Sequence, residues 1–300
     1  MILLLGSTGY IGKEFYKQLF QKGHVVRPCL VPSKEITYSQ LELLHKTLKL
    51  TTIVNCAGYT GKPNVDACET DKHNTIYGNV ALPQMLSQFC GSNNITFAHV
   101  SSGCIYTGRR SDGQPFTELD QPNFSFEQNN CSFYSGTKAM AENIIIKNAP
   151  KHYIWRLRIP FEEVDNPRNY LSKMLNYKKL LDAENSISNK QEFVSACVET
   201  IEREVPYGIY NVTNTGFVTT KQVIEKMQKT IAKDKVFEFF DNEESFYTTA
   251  AKTPRSNCVM SNQRLLSTGI KMRTVDEALD YCLNNWKSQC NILKKFLFVG

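Results

Sequence analysis

Met1-Ile-Leu-Leu-Leu5-Gly6-Ser-Thr8-Gly9-Tyr10-Ile11-Gly12 is the stretch on which the fold turns. Five apolar residues in a row read as a buried strand. A glycine-rich turn follows at once, and Phe15, Leu19 and Phe20 then recur at helical spacing. Strand, glycine turn and helix form the context that a dinucleotide-binding fingerprint requires. The glycines let the backbone approach a pyrophosphate, and the helix N-terminus attracts it. Gly6, Thr8, Gly9, Tyr10, Ile11 and Gly12 are therefore the first candidate cofactor residues.

Outward from that unit, His24–Arg27 reads as a second strand. No Asp or Glu stands between residues 15 and 34 to hold a ribose 2′-hydroxyl, and Arg27 stands near the strand end instead. That favours a 2′-phosphate, hence NADP(H) over NAD(H), which stays admissible. Thr52–Cys56 is a third strand ended by Ala57-Gly58, two further cofactor candidates. A polar loop through Lys62, Asn64 and Asp66 leads to a long helical segment from about Cys68 to Phe89 that carries Asn79. Ile95–Val100 is a fourth strand, and Ser101-Ser102-Gly103-Cys104-Ile105-Tyr106 follows where it ends. Ligands of an open parallel sheet bind outside the carboxyl ends of its strands, so these hydroxyls and this thiol are placed for chemistry. The loop 107–130 is long and polar and is expected to lie over the site mouth.

Phe133–Glu142 opens a helix in which Tyr134 and Lys138, four residues apart, share a face. A lysine cation beside the phenol would favour the phenolate. His152–Arg158 reads as a fifth strand, Asn166–Asn169 initiates a helix carrying Lys173 and Tyr177, and Gly208–Val212 reads as a last core strand. Thr219–Ile231 and Thr274–Trp286 are amphipathic helices, with Arg255 in a polar loop between them. The expected architecture is α/β: a doubly wound parallel sheet with a smaller C-terminal substrate domain. Residues 1–160, completed by about 190–212, form the nucleotide domain. Residues 161–189 and 213–287 form the second, and 288–300 a tail.

Composition narrows the class. Of 300 residues 41% are apolar, enough for a proper core, and 35 basic against 29 acidic residues leave a net charge of +6. This mild surplus without a basic run argues against nucleic-acid binding and suits an anionic small ligand. The ten cysteines show no Cys-x-x-Cys spacing, which disfavours a metal site. No stretch reads as a membrane span or signal segment. A cytoplasmic location with reduced thiols follows as the expectation.

Gly6-x-x-Gly9-x-x-Gly12 with Ser102, Tyr134 and Lys138 resembles the extended short-chain dehydrogenase/reductases, a Rossmann-fold group. Within them the chain is most similar to the bifunctional UDP-4-keto-6-deoxyglucose 3,5-epimerase/4-reductases of UDP-L-rhamnose synthesis. Thr60–Asp66, Ser102–Ile105, Ser132–Met140, Asn166–Asn169 and Ala251–Asn257 carry the likeness. Gly136 departs from it, since the family often has Lys there; so do the 107–130 loop and the segment Ser186–Gln191. The resemblance implies Tyr134 as proton donor in reduction, Lys138 as its partner on the nicotinamide ribose, and Ser102 as donor to the substrate carbonyl and its enolate. It also implies Cys104 and Lys173 as the pair that inverts C3 and C5. Read without it, Cys104 is a small buried hydrophobe and Lys173 a solvated charge. Arg255 is expected to grip the diphosphate of a UDP-4-keto-6-deoxyglucose substrate as a fork, with Lys62, Asn64, Asn79 and Asn169 adding polar contacts. Gly103 is expected to let the sugar come close to the backbone. A dTDP-4-dehydrorhamnose reductase, a GDP-fucose-type epimerase/reductase, and a non-catalytic regulatory subunit of the same fold are the competing readings, and a homodimer is left open.

Overall fold

The computed structural model describes residues 1–29 and 35–288. Six parallel strands form one sheet: β1 (Ile2–Leu5), β2 (Val26–Pro28), β3 (Thr52–Asn55), β4 (Thr96–Ser102), β5 (His152–Leu157) and β6 (Gly208–Asn211), in the order β2-β1-β3-β4-β5-β6. Helices α1 (Gly12–Gln21), α2 (Tyr38–Leu48), α3 (Leu82–Ser92), α4 (Phe133–Asn148), α5 (Tyr170–Asn176), α6 (Lys190–Glu202), α7 (Thr220–Lys229) and α8 (Val275–Asn284) surround it or follow it. This is the doubly wound α/β class expected, and its order reverses at β1/β3. Such a switch point opens a crevice at the strands' carboxyl ends.

The unbroken apolar run of β1 is explained by burial on both faces. Successive side chains of a strand point to opposite sides. Ile2 and Leu4 accordingly join Phe15, Leu19, Trp155 and Phe193 in one core, and Leu3 and Leu5 join Phe89, Phe97, Ile145 and Ile154 in the other. A third apolar cluster unites Phe161, Leu171, Val223, Met227, Leu279 and Leu283.

The glycines after β1 are dictated by contact. Gly6 has φ +71°, and a Cβ there would lie 2.6 Å from the Ala57 nitrogen. A Cβ on Gly12 would lie 2.0 Å from the Gly6 carbonyl oxygen. Only bare backbone lets β1, α1 and the end of β3 meet this closely.

Sequence boundaries shift in places. The helix expected from Cys68 to Phe89 breaks at Asp71, whose side chain caps a short helix Lys72–Ile76; a π-turn at Tyr77–Ala81 then leads into α3. β4 runs two residues beyond Val100, so Ser101 and Ser102 belong to it. The tail expected from residue 288 lies, from 289 on, outside the described residues.

One buried ion pair joins α4 to β5. Arg156 Nη2 donates to Glu142 Oε2 at 2.7 Å, and Arg156 Nε lies 3.1 Å from the same oxygen. Both side chains are about 2–3% exposed. Removing one partner strands a buried charge, so Glu142→Ala should destabilise the protein by about 3–5 kcal/mol in urea unfolding. A loss below about 1 kcal/mol would show the pair to be dispensable.

Candidate active site

The site forms where β4 ends. Ser102 caps the single turn Gly103–Ile105: its Oγ accepts from the Cys104 backbone N–H at 3.2 Å. The hydroxyl proton of Ser102 is thereby left to donate elsewhere. Ser132 caps α4 from the other side, its Oγ accepting from Ser135 N–H. Two residues further, the half-buried Tyr134 faces Ser102 and Cys104. Burial, then the neighbouring Cys104, pushes its phenol well above the ordinary range, while the Ser102 hydroxyl and the Arg158 guanidinium pull it back.

Lys138 differs from expectation. Its Nζ donates to the Val100 carbonyl at 3.0 Å and lies 3.3 Å from His99 Nε2, rather than turning to the phenol. His99 is fully buried, and its Nδ1 accepts from Asn55 Nδ2. Burial lowers the Lys138 ammonium from 10.5 to about 8, partly offset by Glu142 and Cys104. The electrostatic help to Tyr134 thus comes from Arg158, a residue to which the sequence reading gave no role.

Arg158 is 3% exposed and follows β5. Its Nη1 donates to Cys104 Sγ at 3.1 Å. Its Nη2 donates to Asn185 Oδ1 and to the Ser256 carbonyl, each at 2.5 Å. Gly103 owes its identity to this packing. A Cβ there would fall 2.6 Å from the Met260 thioether and 3.2 Å from Arg158 Cδ. The glycine thus makes room for the protein's own Met260 and Arg158.

Three residues expected to contact substrate already have partners within the protein. Asn169 is fully buried; its Oδ1 caps α5 at Leu171 N–H, and its Nδ2 donates to the Glu162 and Val164 carbonyls. Asn79 pins the chain after β3, Oδ1 accepting from Tyr59 N–H and Nδ2 donating to Tyr59 O and Thr137 Oγ1. Arg255 already spends its fork, Nη2 on Asp66 and Nη1 on Thr253, each at 2.7 Å. Lys62 and Asn64 remain exposed on the same loop, where Asn64 Oδ1 accepts from Asp66 N–H. Lys173 sits half-buried on α5, lowered by burial and by Arg168.

The cofactor side fits a dinucleotide. The turn leading into α1 is bare of side chains at Gly9, and α1 itself starts bare at Gly12; Ala57 and Gly58 continue β3 beside Gly6. Thr8 is exposed at the turn, and Ile11 packs against the core. The Tyr10 ring lies 4.6 Å from Lys190 Nζ, and burial raises its hydroxyl. Arg27 projects exposed from edge strand β2, with no ion-pair partner among the described residues.

The loop 107–130 is tied down. Gly108 N–H donates to Asn257 O, Phe116 N–H to Val259 O, and Ser261 N–H to Phe116 O. Its Phe126 ring fills the space a Cβ on Gly136 would need, at 2.3–2.5 Å. The glycine that departs from the family pattern is thus matched by an aromatic in the departing loop. Among the described residues, no cluster of side chains could hold a metal, and no helix is long and apolar enough to cross a membrane.

A doubly wound sheet with this glycine turn, and with serine, tyrosine and lysine gathered at its crevice, defines an oxidoreductase of the extended short-chain dehydrogenase/reductase class. Residues 1–288 match the family described as RmlD substrate binding domain, and the chain belongs to it. It is 31% identical over 286 residues to a bifunctional dTDP-4-dehydrorhamnose 3,5-epimerase/dTDP-4-dehydrorhamnose reductase of Arabidopsis thaliana, covering 92% of this chain and 90% of that one. It is 33% identical to a trifunctional UDP-glucose 4,6-dehydratase/UDP-4-keto-6-deoxy-D-glucose 3,5-epimerase/UDP-4-keto-L-rhamnose-reductase of the same plant, spanning 92% of this chain and 41% of that protein's length. A UDP-rhamnose synthase of Acanthamoeba polyphaga mimivirus has the same fold, with TM-score 0.85 at 22% identity, over 95% of this chain and 98% of that one.

The depressed lysine predicts a pH dependence. The unfolded chain holds the Lys138 proton up to 10.5 and the folded chain only to about 8. Between those values the unfolded state binds more protons, so stability rises with pH. Compared with Lys138→Met, the cofactor-free protein should gain about 3 kcal/mol between pH 8 and 10.5. A pH-independent difference in urea unfolding would refute the shift.

Proposed function

We propose that this chain inverts C3 and C5 of UDP-4-keto-6-deoxy-D-glucose and then reduces C4 with NADPH, giving UDP-L-rhamnose. The observation carrying this reading is a thiol, Cys104, set between Ser102 and Tyr134 and held by Arg158. Reduction alone requires no thiol there. Residues 161–189 and 213–287 are assigned to the sugar nucleotide, and residues 1–160 with 190–212 to the cofactor. The cytosol, where thiols stay reduced, is the assigned location.

The 4-keto group acidifies the protons on C3 and C5. Inversion removes each from one face and returns a proton to the other, which calls for acid/base groups on both sides of the ring. Cys104 is assigned to one side and Lys173 to the other. Ser102 donates to the carbonyl oxygen and to the enolate that replaces it. In the reductive step NADPH, when bound, supplies hydride to C4. Tyr134 delivers the proton to the C4 oxygen, and its buried phenol is a donor because burial keeps that proton on. Lys138 is assigned to hold the nicotinamide ribose. Arg27 is assigned to the 2′-phosphate.

The Arabidopsis relative named for dTDP sugars keeps a dTDP-4-dehydrorhamnose substrate as the second reading. The test is a panel of UDP-, dTDP- and GDP-linked 4-keto-6-deoxy sugars with NADPH and NADH, read by product NMR. UDP-L-rhamnose from UDP-4-keto-6-deoxyglucose without a second enzyme is expected. Reduction only of a pre-epimerised sugar would leave a plain reductase, and no turnover of any sugar a non-catalytic subunit. Tyr134→Phe should lower reduction by about 10²–10⁴-fold while NADPH still binds. Cys104→Ser should depress C3/C5 deuterium exchange more than reduction of the pre-epimerised sugar, and equal losses would remove its specific role.

A further inference from the structure

Arg158 carries a buried positive charge that cofactor binding does not explain and that its distant pull on Tyr134 explains only in part. Its guanidinium reaches three elements: Nη1 donates to Cys104 Sγ at 3.1 Å, and Nη2 bridges Asn185 and Ser256 O at 2.5 Å. Asn185 is itself fixed, its Oδ1 accepting from Cys258 N–H and its Nδ2 donating to Asn257 Oδ1. Its aliphatic stem packs close to the turn, where a Cβ on Gly103 would lie 3.2 Å from Arg158 Cδ. Arg158 Nε has no partner among the described residues. Evolving such a residue for packing alone would be wasteful, since a buried cation is expensive unless it has a negative partner. Among the described residues no carboxylate forms an ion pair with it. The groups that face it are Cys258, Cys104, Tyr134 and Tyr170, and Lys138 acts on Cys104 from α4. The charge therefore lacks an anion until one forms at a sulfur or a phenol.

We propose that Arg158 is the positioning residue of Cys104: its Nη1–H fixes the direction of the sulfur, and its charge is the counter-ion of the thiolate that proton transfer leaves there. The proposal rests on the reading of Cys104 as an acid/base group. Acting as base, the thiolate takes the proton from the ring carbon; an S–H bond forms and the C–H electron pair moves to the carbonyl oxygen, held by Ser102. Acting as acid, the thiol returns a proton to carbon, and the electron pair left on sulfur faces Arg158. Either way, sulfur alternates between neutral and anionic without leaving the guanidinium.

The test uses the full chain carrying Arg158→Gln or Arg158→Lys. Cys104 alkylation by iodoacetamide is followed from pH 6 to 10 by peptide mass spectrometry, and C3/C5 deuterium exchange is measured without NADPH. In Arg158→Gln the rise of Cys104 alkylation should move to higher pH, slowing the reaction about tenfold near pH 7. Exchange should fall at least about tenfold more than reduction of the pre-epimerised sugar, and Arg158→Lys should recover part of both. An unmoved alkylation profile in a folded Gln variant, or equal profiles for Gln and Lys, overturns the proposal. Should Arg158→Gln fail to fold, Asn185→Ala releases Nη2 and keeps the charge: depressed exchange supports the proposal, and unchanged exchange overturns it. If the unaltered protein shows no exchange at all, the epimerase reading fails, while the alkylation profiles still decide whether Arg158 governs the sulfur.

Discussion

The buried pair between Glu142 and Arg156 is the constraint on which the site depends. Glu142 lies on α4 eight residues beyond Tyr134 and four beyond Lys138, so all three share one helical stripe. Its carboxylate takes Arg156 from β5 and the Ser101 hydroxyl from β4, and Arg156 Nη1 reaches the Tyr106 hydroxyl at 2.9 Å. One carboxylate thus sets the rotation of α4 against two strands. Sliding the helix by one residue would turn the stripe by about 100°, taking Tyr134 out of the crevice together with Glu142. The charges are costly to bury, and what they return is the register that brings Tyr134, Ser102 and Arg158 together.

How much of this was legible in the sequence follows from how local each signal is. The glycine turn, the Tyr134/Lys138 spacing and the serines near the end of β4 are patterns within a dozen residues, so their helix and strand ends are placed to within a few residues, while the direction of the Lys138 side chain is not. The partners of Asn79, Asn169 and Arg255 are not legible there, because an isolated polar residue looks the same whether it caps a helix, pins a loop, pairs an aspartate or awaits a ligand. Only the fold supplies the partner. Arg158 was overlooked for the same reason, its contacts lying 27, 54 and 98 residues away. A signal was available: Arg156 and Arg158 alternate with Trp155 and Leu157 in a strand that the topology makes central. Charges in a strand covered on both faces demand named partners.

The segments that depart from the family pattern depart together. Phe126 occupies what would be the Cβ space of Gly136, so a larger residue at 136 and an aromatic at 126 exclude each other. The loop is held at its other end by the strand-like segment 257–261. The residues just before that segment reach Asp66 through Thr253 and Arg255, while Arg168 donates to Thr60. The crevice is therefore rimmed by loops that brace one another.

Gly103 has a consequence for how the chain reaches its native state. The turn after β4 is local in sequence, yet its surroundings are not: Cys258 Sγ donates to the Gly103 carbonyl across 155 residues, and Ser256 Oγ to Tyr106 O across 150. Loop closure over such separations is paid in entropy before the contact returns anything. The sheet can assemble from nearer neighbours, but the turn that aims Cys104 stays unbraced until residues 256–260 arrive. Order in the sulfur's surroundings is thus a property of the nearly finished chain.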